Sequence, residues 1–85
     1  MHTMTETKFK KDWAEYLTAL ACLPNSSQLR VRRIAGNDLS RRSPGQGVSS
    51  SDINHRLFSI WKENGETLGN FCVALLEIEE NNNNQ

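Results

Sequence analysis

The sequence is poor in the residues that hold small secreted proteins together. It has two cysteines, Cys22 and Cys72, in 85 residues, too few for a disulfide scaffold. No run approaches the ~18 consecutive apolar residues of a membrane-spanning helix, and the start of the chain lacks the apolar core of a signal peptide. We therefore expect neither a membrane span nor secretion. Both thiols should be buried and reduced in a cytoplasmic protein, with the nucleus as the alternative location.

Large apolar side chains are also scarce, with a hydrophobic fraction of 36% and an aromatic fraction of 7%. A chain of this length forms one domain with a single modest core, which supplies only ~3–5 kcal/mol of stability. We place that domain at residues 6–79. Residues 1–5 and the tail at 80–85 should be disordered, because E-N-N-N-N-Q cannot bury a core.

The chain lacks the residue spacings of a catalytic or metal site. Its histidines are His2 and His55, and neither the histidines nor the cysteines have the paired spacing of a zinc site. There is no phosphate-binding glycine loop, and no spacing supports a nucleophile pair of His55 with a cysteine. We expect His55 on a helix surface, and a protein without enzyme activity, metal or cofactor.

Basic residues are absent from the last part of the chain. All ten Lys and Arg residues and five of the ten acids precede Glu63, whereas residues 63–85 contain the other five acids and no base. The net charge is therefore +5 before Glu63 and −5 from there on. Opposite charges separated in this way suit specific association with another protein or another copy.

Helical periodicity is the main feature that is present, and it is strongest at Asp52–Ile78. Two apolar stripes with the 3.6-residue period flank the turn Glu63–Glu66. Gly65 suits the positive φ that ends a helix, and Thr67 suits the N-cap of the next one. The predicted core residues of this hairpin are Ile53, Leu57, Ile60, Trp61, Leu68, Phe71, Cys72, Leu75 and Leu76.

A further helix is predicted at Lys8–Cys22. It should end at Leu23-Pro24, because the residue before a proline is disfavoured in the α region. Its apolar face consists of Phe9, Trp13, Tyr16, Leu17 and Leu20.

The segment Gln28–Ala35 is open to two interpretations. Val31, Ile34 and Ala35 fit a short helix, which Ser26 or Ser27 would cap. L-R-V-R alternates as in a strand, but no second strand is present to pair with it, so we favour the helix.

A long loop is predicted after this helix. Gly36-Asn37 should end the helix, and Asp38–Ser51 contains a proline and two glycines. Ser50 or Ser51 should cap the helix that follows. The expected fold is therefore all-α, a small bundle of about four helices with a long central loop.

Five arginines, accompanied by one acid, Asp38, form the candidate partner-binding site. They are Arg30, Arg32, Arg33, Arg41 and Arg42. The planar guanidinium fork binds carboxylates and phosphates. We expect the partner to be a protein with an acidic patch, or a second copy that offers Glu63, Glu66 and Glu77. Arg41-Arg42-Ser43-Pro44 also has the pattern of a phosphorylation site.

The alternative function is a small helical nucleic-acid-binding or regulatory protein that uses the same arginines. Its pI of about 6.7 is below that of typical nucleic-acid-binding domains, and the acidic last part would repel phosphate. No aromatic residue is interleaved with the arginines as a base-stacking platform. The interaction module is therefore favoured.

Two stretches resemble the death-domain superfamily. D-W-A-E-Y-L-T-A-L (Asp12–Leu20) resembles its D-W-x-x-L-A-x-x-L element, and R-L-F-S-I-W-K-E-N-G-E-T-L-G-N-F-C-V-A-L-L-E-I (Arg56–Ile78) resembles its later L-x-x-W-x-x-x-x-G run. The resemblance implies a reduced member without the first and last helices, no catalytic residues, and homotypic assembly through charged patches in signalling. The core residues it implies are Trp13, Leu17, Leu20, Ile34, Leu57, Trp61, Leu68, Phe71, Leu75 and Ile78.

Overall fold

The computed structural model describes the backbone of residues 3–83 and the side chains of residues 8–83. Its four helices are α1 (Thr3–Ala21), α2 (Asn25–Arg42), α3 (Ser50–Glu63) and α4 (Leu68–Asn83). The described residues contain no strand, so the all-α prediction is confirmed and Gln28–Ala35 is helical. Helix α2 packs against α3 and α4, α3 packs against α4, and α1 packs mainly against α3.

The helices extend beyond the predicted domain of residues 6–79. Helix α1 begins at Thr3 and α4 ends at Asn83, so the described parts of both ends, predicted as disordered, are helical here. The rest of those ends, residues 1, 2, 84 and 85, lies outside the described residues. Over the described range, no helix is long and apolar enough to cross a membrane.

Pro24 separates α1 from α2, in agreement with the sequence. It takes the N-cap position of α2 with φ −59° and ψ 155°. The prediction that Ser26 or Ser27 caps α2 is wrong, because the helix already begins at Asn25. The Pro24 carbonyl accepts a hydrogen bond from the backbone N–H of Gln28 at 2.9 Å, which starts the helical ladder.

Helix α2 is longer than the sequence predicts, and the loop after it is shorter. It continues through Gly36 to Arg42, so the predicted loop at Asp38–Ser51 is wrong and only residues 43–49 connect α2 to α3. The buried stripe of α2 extends one more turn to Asp38, and that packing holds the helix together past the glycine. Gly36 faces Ile53 of α3, since a Cβ at Gly36 would lie 3.4 Å from Ile53 Cδ1.

Ser49 caps α3, in place of the predicted Ser50 or Ser51. Its hydroxyl accepts a hydrogen bond from the Asp52 N–H at 3.1 Å, and the Asp52 carboxylate accepts one from the Ser49 N–H at 3.2 Å. This reciprocal pair is a capping box, in which two free N–H groups at the helix start find acceptors.

The turn between α3 and α4 agrees with the prediction. Gly65 has a φ of +76°, the left-handed conformation that glycine adopts without strain. Thr67 directly precedes α4, and its carbonyl accepts a hydrogen bond from the Phe71 N–H at 3.0 Å.

The core lies where all four helices meet. Its buried apolar residues are Tyr16, Leu20, Val31, Ile34, Ala35, Leu57, Ile60, Trp61, Phe71 and Leu75. Tyr16, Trp61 and Phe71 form a cluster of edge-to-face rings with centroids 6.0–6.4 Å apart, an arrangement favoured by the ring quadrupoles. Phe9, Leu17 and Leu76, predicted as core, are instead about half exposed, because each lies at the edge of a stripe wider than the neighbouring helices cover.

Candidate protein interface

Helix α2 carries all five arginines of the candidate site. Arg41 and Arg42, expected in a loop, occupy its last turn, where positive charge is favoured by the helix dipole. Extension of the helix therefore places Arg41 and Arg42 on the same rigid element as Arg30, Arg32 and Arg33.

Asp38 is the only acid of α2, and it is turned into the protein. The residue is 7% exposed. Its Oδ2 accepts hydrogen bonds from Arg42 Nε at 3.0 Å and from Arg56 Nε of α3 at 3.2 Å. The surface of α2 that faces solvent is consequently without a carboxylate of its own.

The arginines do not form one patch. Spacings of three and eleven residues from Arg30 place Arg33 and Arg41 on its side of the helix, whereas Arg32, two residues away, lies on the other side. Arg30 donates to Glu79 of α4 at 2.8 Å, an ion pair worth little because the Arg30 side chain is half exposed. Arg42 is directed toward Asp38. The outer basic face is therefore Arg30, Arg33 and Arg41.

Arg32 lies close enough to Tyr16 to influence its ionisation. Burial raises the pKa of the Tyr16 hydroxyl, and the positive charge of Arg32 offsets part of that rise. The Tyr16 hydroxyl finds no hydrogen-bond partner among the residues that the structure describes. Tyr16 therefore stays neutral in the core at ordinary pH.

The three acids named as a possible counterpart lie in different surroundings. Glu63 is exposed at the end of α3, and Glu77 is exposed on α4. Glu66, in the turn, accepts a hydrogen bond from Lys62 Nζ at 2.9 Å. Glu63 and Glu66 therefore lie together at the end of α3. Glu77 lies nine residues after the start of α4, a distance of ~14 Å along the helix.

A second charge network joins α1 to the end of α3. The Asp12 carboxylate accepts hydrogen bonds from Lys62 Nζ at 2.7 Å and from Lys8 Nζ at 3.4 Å. Carboxylate oxygens of Asp12, Glu15 and Glu66 lie within 4.8 Å of one another, a spacing compatible with a metal ion. The Lys62 ammonium already supplies positive charge to two of the three, so this cluster is an internal ion-pair network.

Stability should decrease in acid as Asp12 takes up a proton. The hydrogen bond from Lys62 lowers the pKa of Asp12 below its usual 3.8, although burial opposes the shift. When the pKa of a carboxyl is lower in the folded protein, the group stabilises the fold at pH values above its unfolded-state pKa. That stabilisation is lost as the pH falls through the folded-state pKa. Between about pH 5 and pH 2, the free energy of unfolding measured in urea should depend less on pH for Asp12→Asn than for the wild type. Glu77→Gln is the control, and equal slopes for all three proteins would contradict the prediction.

Helices α2 and α4 also expose large apolar side chains, which the sequence analysis did not single out. Val73 and Leu76 on α4 are 54% and 49% exposed, and Leu29 on α2 is 70% exposed. Leu76 borders an apolar groove between α2 and α4. The only signal in the sequence was the width of the apolar stripe on α4, which includes Cys72 and Leu76 beside the buried Phe71 and Leu75.

His55 and the two cysteines, the residues considered for nucleophilic chemistry, lie in different surroundings. His55 is exposed, as predicted, and its ring packs against Trp13 with centroids 6.2 Å apart. Cys22 is exposed, in contrast to the prediction, and its Sγ lies 3.4 Å from the Thr18 carbonyl oxygen. Cys72 is partly buried, and both thiols are free.

Comparisons with protein-family models, with curated proteins and with solved structures found no match to this chain. The resemblance to the death-domain superfamily therefore stays a prediction.

Proposed function

We propose that this protein is a non-enzymatic protein–protein interaction module that binds an acidic partner surface through the outer face of α2. The observation that carries the proposal is the position of Asp38. Because the only acid of α2 is buried, that face offers arginines and no carboxylate of the same helix. A surface of one sign steers and orients a partner of the opposite sign.

The chemistry of arginine supports a protein carboxylate as the group that is bound. Arg33 is exposed on α2, one turn from Arg30. A guanidinium can donate two parallel hydrogen bonds to one carboxylate, which adds direction to the attraction. A helix that bears such groups is a rigid platform, because its backbone geometry is fixed by the core beneath it.

A second copy of the chain is one partner with the required charge. Residues 63–85 contain five acids and no base, and Glu63 and Glu77 are exposed. Glu66 is paired with Lys62, so it would contribute less. Homotypic contact of this kind also agrees with the death-domain resemblance. The proposal includes an adaptor role, with the cytoplasm or nucleus as the location.

Reversing the charge of the outer face should weaken partner binding. We expect Arg33→Glu combined with Arg41→Glu to weaken binding of a fluorescent Glu-rich peptide at least about tenfold, a loss of ~1.4 kcal/mol. Fluorescence anisotropy measures the affinity, and circular dichroism confirms equal helicity. Lys10→Glu combined with Lys11→Glu is the matched control, because both lysines are exposed on α1 and the change in net charge is identical.

Two results would contradict the proposal. In one, both double variants lose affinity equally, so that only net charge matters. In the other, the wild type binds random duplex DNA more tightly than the acidic peptide. Steep loss of DNA binding between low and moderate salt would then favour the nucleic-acid alternative.

A further inference from the structure

An apolar groove lies beside the outer basic face. It has a volume of about 150 Å³ and runs between α2 and α4. Its lining residues are Leu23, Ser27, Arg30, Val31, Ile34, Cys72, Leu75 and Leu76. Val31, Ile34 and Leu75 are buried and form the floor, whereas Leu76 is about half exposed at the rim.

The groove has the dimensions of a site for one side chain. An apolar cavity of ~150 Å³ in a protein can hold a benzene molecule, so one leucine, isoleucine or methionine fits here. At protein interfaces a few anchors in apolar pockets dominate the binding energy, and an amphipathic helix binds a groove through apolar anchors on one face.

The charges on the two rims differ, and they restrict the occupant. Arg30 is the basic residue that lines the α2 rim. Arg33 and Arg41 lie on the same side of the helix as Arg30, outside the groove itself. The α4 rim carries no base, since none follows Lys62 in the sequence, and Glu79 lies 2.8 Å from Arg30. A segment in the groove therefore meets the Arg30–Glu79 ion pair at the rim, and the parts of it that extend beyond the groove over α2 meet the exposed Arg33.

We infer that this groove receives a large aliphatic side chain from an acidic amphipathic helix of the partner protein. The inference rests on the proposed function and specifies the chemistry of the partner. The anchor side chain inserts above Val31 and Leu75. Carboxylates one turn away on the partner helix lie over the arginines of α2, because residues three or four apart share one helix face.

Two synthetic peptides test the anchor directly. Both consist of Glu and Ala over ~14 residues, the length of about four helical turns when bound, and they differ only in one central residue, leucine or alanine. The wild-type protein should bind the leucine peptide at least about tenfold more tightly, since a buried leucine contributes more than the ~1.4 kcal/mol that a tenfold change requires.

A matched pair of variants on α4 tests the groove. Leu76→Ala removes a rim residue and should weaken binding of the leucine peptide several-fold. Val73 is about as exposed as Leu76 and lies on the same helix, but it does not line the groove. The Val73→Ala variant should therefore bind the leucine peptide as tightly as the wild type. Melting curves check that both variants are folded.

Protection of Cys72 supplies a readout that does not depend on these substitutions. In a Cys22→Ser background, the leucine peptide should slow alkylation of Cys72, which lines the groove. Equal binding of both peptides, with no protection of Cys72, would overturn the inference while charge-dependent binding still supported the proposed function. If neither peptide binds, both are overturned.

Discussion

Replacing Trp61 with alanine is expected to lower the free energy of unfolding by about 3–5 kcal/mol. Trp61 is only 5% exposed, and its ring contacts Tyr16 and Phe71 with centroids 6.3 and 6.0 Å apart. The substitution leaves a cavity at the junction of α1, α3 and α4, because the surrounding rings cannot collapse fully into the space. A domain of this size has a total stability of only ~3–5 kcal/mol, so much of the variant should be unfolded at room temperature.

Trp61→Phe separates the size of the side chain from its polar group. The indole Nε1 of Trp61 is buried and finds no hydrogen-bond acceptor among the described residues. Phenylalanine removes that unpaired donor and retains most of the apolar volume, so its cost should be well below that of alanine. Urea denaturation monitored by circular dichroism measures both variants. Leu29→Ala, at a residue 70% exposed, is the control. A loss below about 1 kcal/mol for Trp61→Ala would place Trp61 outside the core.

The second large effect is expected at Asp38. Asp38→Asn removes the negative charge that Arg42 and Arg56 share at 3.0 and 3.2 Å. Breaking a buried ion pair costs about 3–5 kcal/mol when the remaining charge is fully buried. Arg56 is 18% exposed and Arg42 is 61% exposed, so water solvates part of the remaining charge and we expect a loss of about 2 kcal/mol.

The Asp38 prediction is checked against an exposed carboxylate. Glu77→Gln removes one negative charge from the surface of α4 and should change stability by less than about 0.5 kcal/mol. Chemical denaturation at neutral pH compares the two variants with the wild type. Equal stability of Asp38→Asn and Glu77→Gln would mean that the contacts of Asp38 contribute nothing to the fold.

Much of the helical core could be predicted from local pattern. The period of Leu57, Ile60 and Trp61 is reproduced as a buried face of α3, and Phe71 and Leu75 are buried on α4. Pro24 and Gly65 marked two helix boundaries. The proline ring fixes φ and removes the backbone N–H, and glycine adopts the positive φ of a helix end without strain. These features depend on neighbours within a few residues.

The predictions at residues 36–51 were wrong because tertiary packing, not local preference, determines the structure of this segment. Gly36 and Asn37 have low helix propensity, and by local preference they end a helix. Packing against α3, the next helix along the chain, keeps α2 helical through Arg42. The ion pair between Asp38 and Arg56 is another such contact, and it joins residues that no spacing in the sequence connects.

The sequence alone therefore determined the helical class, the central core residues and the separation of charge along the chain. Only the tertiary structure decided which side of each helix is covered. Packing turned Asp38 inward and left Arg33 outside, and it left Leu76 half exposed beside a groove. The physical reason is that a helix period specifies an apolar face but not its width. How much of that face is buried depends on the helices that pack against it, and the remaining surface is what a partner can bind.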